Sequence, residues 1–465
     1  MNQRIPISET QNNVGERVVV SGWVHRIRDH SKVLFVDLRD RSGLLQVVTG
    51  GWEPESYEVM KTLSLEDVIT IEGEVVARPE KLINPDMVTG KVELQAKKVT
   101  ILGKSQTPPF SVNEDTKEVE EELRLKHRYL DLRSTRMATN ILNRAKTISF
   151  LRKHLEANGF IEVETPILTA STPEGARDYV VPTRNKGNFY ALPQSPQQYK
   201  QLLMVGGIER YYQIAKCMRD EDSRGDRQPE FTQLDMELSF MKQEDILQFT
   251  EDMYTKLVTE LYPEKHITQS PWPRLSYREA MDTYGNDKPD LRKDKNDPNE
   301  LAFAWIVDFP LFEWDEDNKR VSPMHHMFTM PREEDLPLLD SEPLKVIGQL
   351  YDFVCNGYEI ASGSIRITNQ EIQSKIFELI GMPKEEAEAK FGHMLEAFKY
   401  GAPPHGGIAP GIDRFQMILE NEPNIREVIA FPKTGEGRDP MMKAPSPISE
   451  AQLKDLGITV TPDKK

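Results

Sequence analysis

The chain has 465 residues, 38% apolar and 29% charged, which suits a soluble globular protein of two to four domains and argues against global disorder. Acidic side chains number 75 against 59 basic, and the net charge of −16 argues against a nonspecific cationic binder of nucleic acid or membrane. Residues 1–110 carry 15 acidic and 14 basic side chains, so this quarter is the better place for a polyanion to land. Two cysteines, Cys217 and Cys355, cannot build a disulfide framework, which points to a reducing compartment. The start MNQRIPISETQNN shows no leader pattern, and no apolar run approaches 18 residues, so a cytosolic protein without a membrane span is expected.

From Arg17 to about Leu102 short runs such as RVVVSGWV, KVLFVDLRD, LLQVVTG and KVELQAKKVTIL read as four to six strands of a small β-barrel. Alternation puts Leu34, Val36 and Leu38 on one face, and Val33, Phe35, Asp37 and Arg39 on the other. Val92, Leu94 and Ala96 likewise oppose Lys91, Glu93, Gln95 and Lys97. Phe35 thus lies among polar neighbours. It is either an ordinary surface aromatic or a platform on which a nucleobase stacks.

The barrel is expected to span 1–107, with 108–135 as linker and hinge helix and 136–465 as a mixed α+β domain. Ile141, Ala145, Ile148, Leu151 and Leu155 recur at helical spacing, with Asn158-Gly159 as the stop. FIEVETP then reads as a strand ended by Pro166. At LPQSPQQYKQLL a second helix is expected, with Ser195 and Gln198 as a capping box and Pro196 as its first residue.

The segment RYYQIAKCMRDEDSRGDRQPEFTQLDMELSF reads as strand, polar loop, strand. Leu234, Met236 and Leu238 face one way, and Phe231, Gln233, Asp235 and Glu237 the other. Gln213, Cys217 and Arg219 share a face of the first strand. Such a face is either a solvated surface with salt bridges or a ligand platform. In DFVCNGYEIASGSIRI, Asp352 and Glu359 are hard oxygen ligands that suit Mg²⁺ beside substrate phosphates. Strict alternation would put Glu359 and Arg366 on opposite faces, so a bulge at Ser362-Gly363 is expected to restore parity. GGIAPGIDRFQMILE reads as a glycine-rich turn entering a helix near Arg414.

Together these segments resemble the signature motifs of class II aminoacyl-tRNA synthetases. The helix with FIEVETPIL is similar to motif 1, CMRDEDSRGDRQPEFTQLDME to motif 2, and GIAPGIDR to motif 3. TPEGARDY, ALPQSPQQYKQLL, MHHMF, GSIRI and KYGAPPHGG narrow the resemblance to the bacterial aspartyl-tRNA synthetase family, over nearly the whole chain. It implies a multidomain α+β protein, with an N-terminal OB-fold barrel that reads the anticodon. The catalytic domain is then an antiparallel sheet flanked by helices, in a homodimer. A departure from the family is that YGNDKPDLR runs into VDFPLFEW through a short charged stretch, so the usual bacterial insertion domain is expected to be missing near 285–304.

The implied reaction joins L-aspartate to ATP as aspartyl-adenylate and passes the aspartyl group to the 3′ end of tRNA-Asp. Because an ionised carboxylate needs no general base, positioning and charge stabilisation carry such a step. By resemblance, Arg219 and Arg414 are the catalytic cations. The ATP site adds Glu221, Arg227, Gln228, Phe231, Glu359, Gly411, Ile412 and Asp413, with Asp352 and Glu359 holding Mg²⁺. Arg366 and Lys200 read the aspartate side chain together with Arg219, and His325 closes the pocket. Glu174, Ser195, Gln197 and Asp235 lie on the ammonium side. Phe35, Gln46 and Glu93 meet the anticodon.

Two positions bear on the choice of tRNA, and they disagree. Relatives that charge both tRNA-Asp and tRNA-Asn tend to carry His at the position of His30, whereas strict relatives tend to carry Lys at that of Lys81. A relaxed enzyme charging both tRNAs is therefore the alternative. An asparagine- or lysine-specific relative is disfavoured by Lys200 and Arg366. A noncatalytic relative would be expected to lose Arg219 or Arg414, and an amino-acid amidating relative to lack the barrel.

Overall fold

The structure is a computed structural model that describes residues 3–171 and 175–461. The chain divides into two compact units, one ending at Ala138 and one starting at Thr139.

In the first unit β1 (Arg17–Asp29), β2 (Val33–Asp40), β3 (Gly43–Gly50), β4 (Val68–Ala77) and β5 (Val92–Gly103) close into a barrel of order β1-β2-β3-β5-β4. Closure follows from the alternation. Leu34, Val36, Leu38, Val47, Ile69, Ile71, Leu94 and Ala96 are essentially inaccessible and fill the interior. Each large aliphatic side chain buried this way contributes roughly 1.5–3 kcal/mol. Helix α1 (Pro54–Lys61) closes against the same core through Met60. Residues 108–135 pack as part of this unit, around a fully buried Asp131. Its carboxylate accepts from Thr116 Oγ1 at 2.5 Å and Arg128 Nη1 at 2.6 Å.

The boundary falls within the first turn of α2 (Thr135–Ala157), which ends, as the sequence suggests, before Gly159 at φ +79°. The following strand is shorter than expected. Only Ile161–Glu162 (β6) is strand, and after the Val163 amide bonds Tyr212 the backbone leaves the sheet toward Pro166. β7 (Arg210–Met218) and β8 (Glu230–Ser239) are the anticipated hairpin. They join β9 (Arg274–Ser276), β10 (Phe303–Val307), β11 (Leu350–Cys355), β12 (Tyr358–Ile365) and β13 (His405–Ile408) in an eight-stranded sheet, order β9-β10-β11-β12-β13-β8-β7-β6. Its interior pairs are antiparallel, while β9 with β10 and β6 with β7 are parallel. Helix α3 (Gln197–Val205) follows the β6 region, and α4 (Gln243–Leu261) and α5 (Ile412–Leu419) pack on the apolar core through Leu257, Tyr254 and Phe415.

Three local expectations are corrected. The bulge that restores parity lies at Ile360, not at Ser362-Gly363: Val354 pairs with Glu359 and Phe353 with Ala361. The skipped Ile360 carbonyl accepts from the Gly411 amide at 2.8 Å, so the bulge exists where the turn into α5 docks. GGI in GGIAPGIDR is strand β13 rather than a turn. Gly407 is needed there because a Cβ would lie 2.1 Å from Glu237 Oε2. The capping box at Ser195 does not form either. Helix α3 starts one residue later, with Pro196 at the cap and Ser195 Oγ 3.3 Å from the Gln197 amide.

The segment 285–304, where a missing insertion is expected from the sequence, is tightly closed. The amides of Lys293 and Asp294 donate to the Glu300 carboxylate at 2.9 and 2.8 Å, and Thr268 Oγ1 donates to it at 2.9 Å. Among the described residues no helix is long and apolar enough to cross a membrane.

Candidate functional site

The parity set by the Ile360 bulge puts Asp352, Glu359, Ser362, Ser364 and Arg366 on one face of β11 and β12. On β8 the same alternation aligns Phe231, Gln233, Asp235 and Glu237. Between them lies a buried charge cluster. Lys200, Asp235, Glu237 and Arg366 are each no more than 4% exposed. Lys200 Nζ donates to Asp235 Oδ1 at 2.7 Å and lies 3.2 Å from Glu237 Oε2. Arg366 donates through Nε and Nη2 to the two Glu237 oxygens at 2.9 and 3.2 Å. Burial would raise the Glu237 carboxyl, but Arg366 and Lys200 outweigh it and hold it at about 2. Arg366 and Glu237 are thus held charged out of water, whereas burial pushes the Asp235 carboxyl up despite the Lys200 ammonium beside it. A buried cluster of this kind is a costly arrangement that a hydrophobic fold does not require.

Asp352 is buried and its Oδ1 has no hydrogen-bond partner, while His325 Nε2 stands 3.5 Å from Oδ2. Burial, and then the Asp352 charge, push the Glu359 carboxyl up. Two crowded carboxylates with an orphaned oxygen are a donor set that fits a hard cation sharing phosphate ligands. Among the described residues no cluster of three metal-type side chains exists.

Arg219 lies over the face of Phe231, its guanidinium carbon 5.1 Å from the ring centre, and its buried Nε has no partner. Glu221 and Arg227 are exposed in the loop and stand 3.7 Å apart. Gln228 is buried in a two-way clamp on the Lys433 backbone, with contacts of 3.1 and 2.7 Å. Arg414 bonds Asp226 at 3.1 Å and the Glu359 carbonyl. Ile412 belongs to the core. Asp413 is turned inward, accepting from the Thr232 amide at 2.7 Å and pairing with Arg144 at 2.5 Å. The side chains of these two are thus committed to the fold. A Cβ at Gly411 would meet only Ile360 O at 3.6 Å, so the fold itself does not demand glycine there.

Gln197 donates to Gln201 at 3.0 Å. Asp235, expected on the ammonium side, has Lys200 as its bonding partner, and its Oδ2 is buried without one. Glu174 lies outside the described residues.

On the barrel, Phe35 is half-buried, with the His30 ring edge-on at 5.7 Å between centres. Gln46 bridges Arg28 at 3.2 Å and Glu93 at 2.8 Å, and Arg28 pairs with Asp37 at 2.8 Å. Arg78 is buried 3.8 Å from Glu93, with Nε and Nη2 unpartnered. Phe35, Gln46 and Glu93 therefore share one polar face, while Lys81 is exposed in the turn Glu80–Leu82.

Sequence reading passed over Glu237, His326, Asp226, Arg28 and Arg78 as site residues. Glu237 was within reach, two residues beyond Asp235 on the same face. Asp226 and His326 depend on contacts across the fold, to Arg414 and Arg366, that no local spacing reveals.

Residues 120–435 match the family model of class II tRNA synthetases (D, K and N), and residues 18–102 that of the OB-fold nucleic acid binding domain. An aspartate–tRNA(Asp/Asn) ligase of Rubrobacter xylanophilus is 45% identical, covering 97% of this chain and 95% of its own. An aspartate–tRNA ligase of Staphylococcus carnosus is 40% identical, covering 97% and 98%. These alignments run over 573 and 577 positions, more than the 465 residues here, so both relatives carry stretches without a counterpart in this chain. Asparaginyl-tRNA synthetase from Pyrococcus horikoshii, complexed with asparaginyl-adenylate, superposes with a TM-score of 0.75 at 21% identity, over 93% of this chain and 99% of that one. Aspartyl-tRNA synthetase from Entamoeba histolytica gives 0.72 at 22%, over 93% and 91%. At that identity the likeness establishes a shared fold. With a family model spanning most of its length and a 45% identical relative aligned almost end to end, the chain belongs to the class II tRNA synthetases of the aspartate, lysine and asparagine group.

Proposed function

We propose that the chain is an aspartate–tRNA ligase, which activates L-aspartate with ATP to aspartyl-adenylate, releasing pyrophosphate, and transfers the aspartyl group to the 3′ end of tRNA-Asp, releasing AMP. The observation that carries this reading is the buried pair Lys200 and Arg366, each backed by a carboxylate. A side-chain carboxylate satisfies two buried cations. Asparagine would bring no anion to their remaining N–H groups, a mismatch that in comparable polar sites gives discrimination of about 10⁴–10⁵, and lysine would add a third cation.

Arg219 is the cation for the α-phosphate and the substrate carboxylate, oriented by its stacking on Phe231, whose ring also supplies a face for the adenine. Glu221 reads the adenine edge. Arg227 and Arg414 hold the outer phosphates, with Arg414 aligned by Asp226 and by the Glu359 carbonyl. Gly411, where the fold tolerates a Cβ, leaves room for a close ligand. Ile412, Asp413 and Gln228 contribute by shaping backbone, since their side chains face inward. Asp352 and Glu359 would hold Mg²⁺, which when bound neutralises charge on the phosphates. On the substrate's ammonium side we place Glu174, Ser195, Gln197 and the unpartnered Oδ2 of Asp235, with His325 at the pocket's edge. Adenylation requires no nucleophile or general base from the protein, because the ionised aspartate carboxylate is itself the nucleophile.

The barrel's polar face, with Phe35, Gln46 and Glu93, is assigned to the anticodon. A homodimer is supported by the exposed Ile161 on edge strand β6 and by Ile167 and Leu168, which follow it. The usual insertion is taken to be replaced by the segment closed on Glu300, and a cytoplasmic location fits the reaction. The second reading, charging of both tRNA-Asp and tRNA-Asn, is favoured by His30 against Phe35. Pyrophosphate exchange with aspartate, asparagine and lysine in parallel, then aspartylation of both tRNA transcripts, tests the assignment. Exchange driven by asparagine or lysine in preference to aspartate would refute it.

A further inference from the structure

His325 and His326 are adjacent, yet they face different partners. His325 meets Asp352, whereas His326 Nε2 lies 2.8 Å from Arg366 Nη1. Burial, and then the Arg366 charge, keep His326 neutral by lowering it far below 6.5. A neutral imidazole has one lone pair and one N–H. Two obligate donors nevertheless converge on this ring, Arg366 Nη1 and the Phe328 amide 3.2 Å from Nδ1, with the Ser364 hydroxyl, which can donate or accept, 3.3 Å from Nε2.

The surrounding donors are nearly spent. A guanidinium offers five N–H groups and an ammonium three. Arg366 gives Nε and one Nη2 proton to Glu237, and its Nη1 protons to Ser364 Oγ at 2.7 Å and to His326. One Nη2 proton is left. Lys200 gives one proton to Asp235 and turns a second toward Glu237, again leaving one. The Arg366 end of the pocket is therefore short of acceptors, and the ring at its back cannot supply a second.

We propose that His326 is a specificity-determining positioning residue: it fixes the Arg366 guanidinium through Nη1 and keeps that end of the pocket short of acceptors, so that a terminus made of acceptors alone is taken and a carboxamide is refused. The inference rests on the aspartate reading and deepens it. A carboxylate brings only lone pairs to the free protons of Arg366 and Lys200. A carboxamide brings two further N–H donors to the Arg366 end, where the ring has no lone pair left for them, while the unpartnered Oδ2 of Asp235 is taken by the substrate's ammonium group.

A side chain with its own carbonyl at this position should relieve the shortage. His326→Gln is expected to lower the ratio of kcat/KM for aspartate over asparagine in pyrophosphate exchange by about tenfold or more, the effect of re-matching one buried donor. The change should appear in KM for the amino acids and leave KM for ATP in place. His326→Asn, a shorter amide, should move the ratio in the same direction and serves if the glutamine variant does not fold. A ratio unmoved in the amide variant that folds, or a loss shared equally by aspartate, asparagine and ATP, overturns the inference and leaves the ligase reading standing. Wild-type protein without aspartate-dependent exchange overturns both.

Discussion

Glu237 grips Arg366 side-on, its two oxygens accepting from Nε at 2.9 Å and Nη2 at 3.2 Å, in space that Gly407 leaves open, since a Cβ there would lie 2.1 Å from Oε2. Glu237→Gln removes the charge that two buried cations share. Breaking such a pair costs roughly 3–5 kcal/mol, because a charge is left uncompensated out of water. Since the Glu237 carboxyl sits at about 2 against an ordinary 4.5, its contribution is complete above about 4.5 and fades as the pH falls toward 2. The wild type should therefore lose Tm on acidification through that window more steeply than the variant, which has no carboxyl there to protonate. Parallel slopes in thermal melts across that range would contradict the pairing.

Among the described residues Arg219 is held by stacking and not by a carboxylate, its Nε being buried without a partner. A cation free of a counter-ion is available to a substrate anion. Arg219→Ala should cost the adenylation step roughly 3–4 kcal/mol, the scale for deleting one preorganised donor at a developing charge. Pyrophosphate exchange at near wild-type rate in this variant would remove Arg219 from the mechanism.

Much of this was written in the sequence because it depends on alternation along single strands. Leu34, Val36 and Leu38 fill the barrel, and Phe35 stands on its polar face, as period two requires. The polar face of β8 was equally legible. The parity of Glu359 and Arg366 was seen to need a bulge, but its place was not, because Ile360 is skipped to meet the Gly411 amide from a distant turn. The inward turn of Asp413 has the same origin. Arg144 and the Thr232 amide, both far away in sequence, take its oxygens. Pro196 defeated the capping reading by occupying the cap position itself.

On the barrel, Phe35 is half-buried beside Gln46, Arg28 and Glu93, which already hydrogen-bond one another. A base stacking there should contribute roughly 1–3 kcal/mol. Phe35→Ala is expected to raise KM for tRNA-Asp while leaving aspartate-dependent pyrophosphate exchange intact, since exchange uses no tRNA. Damage to both activities in equal measure would instead mark Phe35 as a folding residue.

The choice between tRNA-Asp and tRNA-Asn turns on a single anticodon base, and the two barrel positions proposed to bear on it would pull in opposite directions. His30 lies edge-on to Phe35, with ring planes at 81°, so it bears on the platform that the anticodon would use. Leucine there would pack against the ring without a polar edge to offer a base. Lys81 is exposed in the middle of the turn Glu80–Leu82, where its ammonium can reach a phosphate or a base edge. One such contact is worth about 1–3 kcal/mol, enough to bias the outcome and too little to fix it alone. His30→Leu should therefore sharpen the preference for tRNA-Asp, and Lys81→Gly should blur it. Aspartylation of both transcripts must be compared at one salt concentration, because phosphate contacts weaken as salt rises. If neither substitution moves the ratio by more than about twofold, under ~0.4 kcal/mol, the discriminating contact lies elsewhere on the barrel.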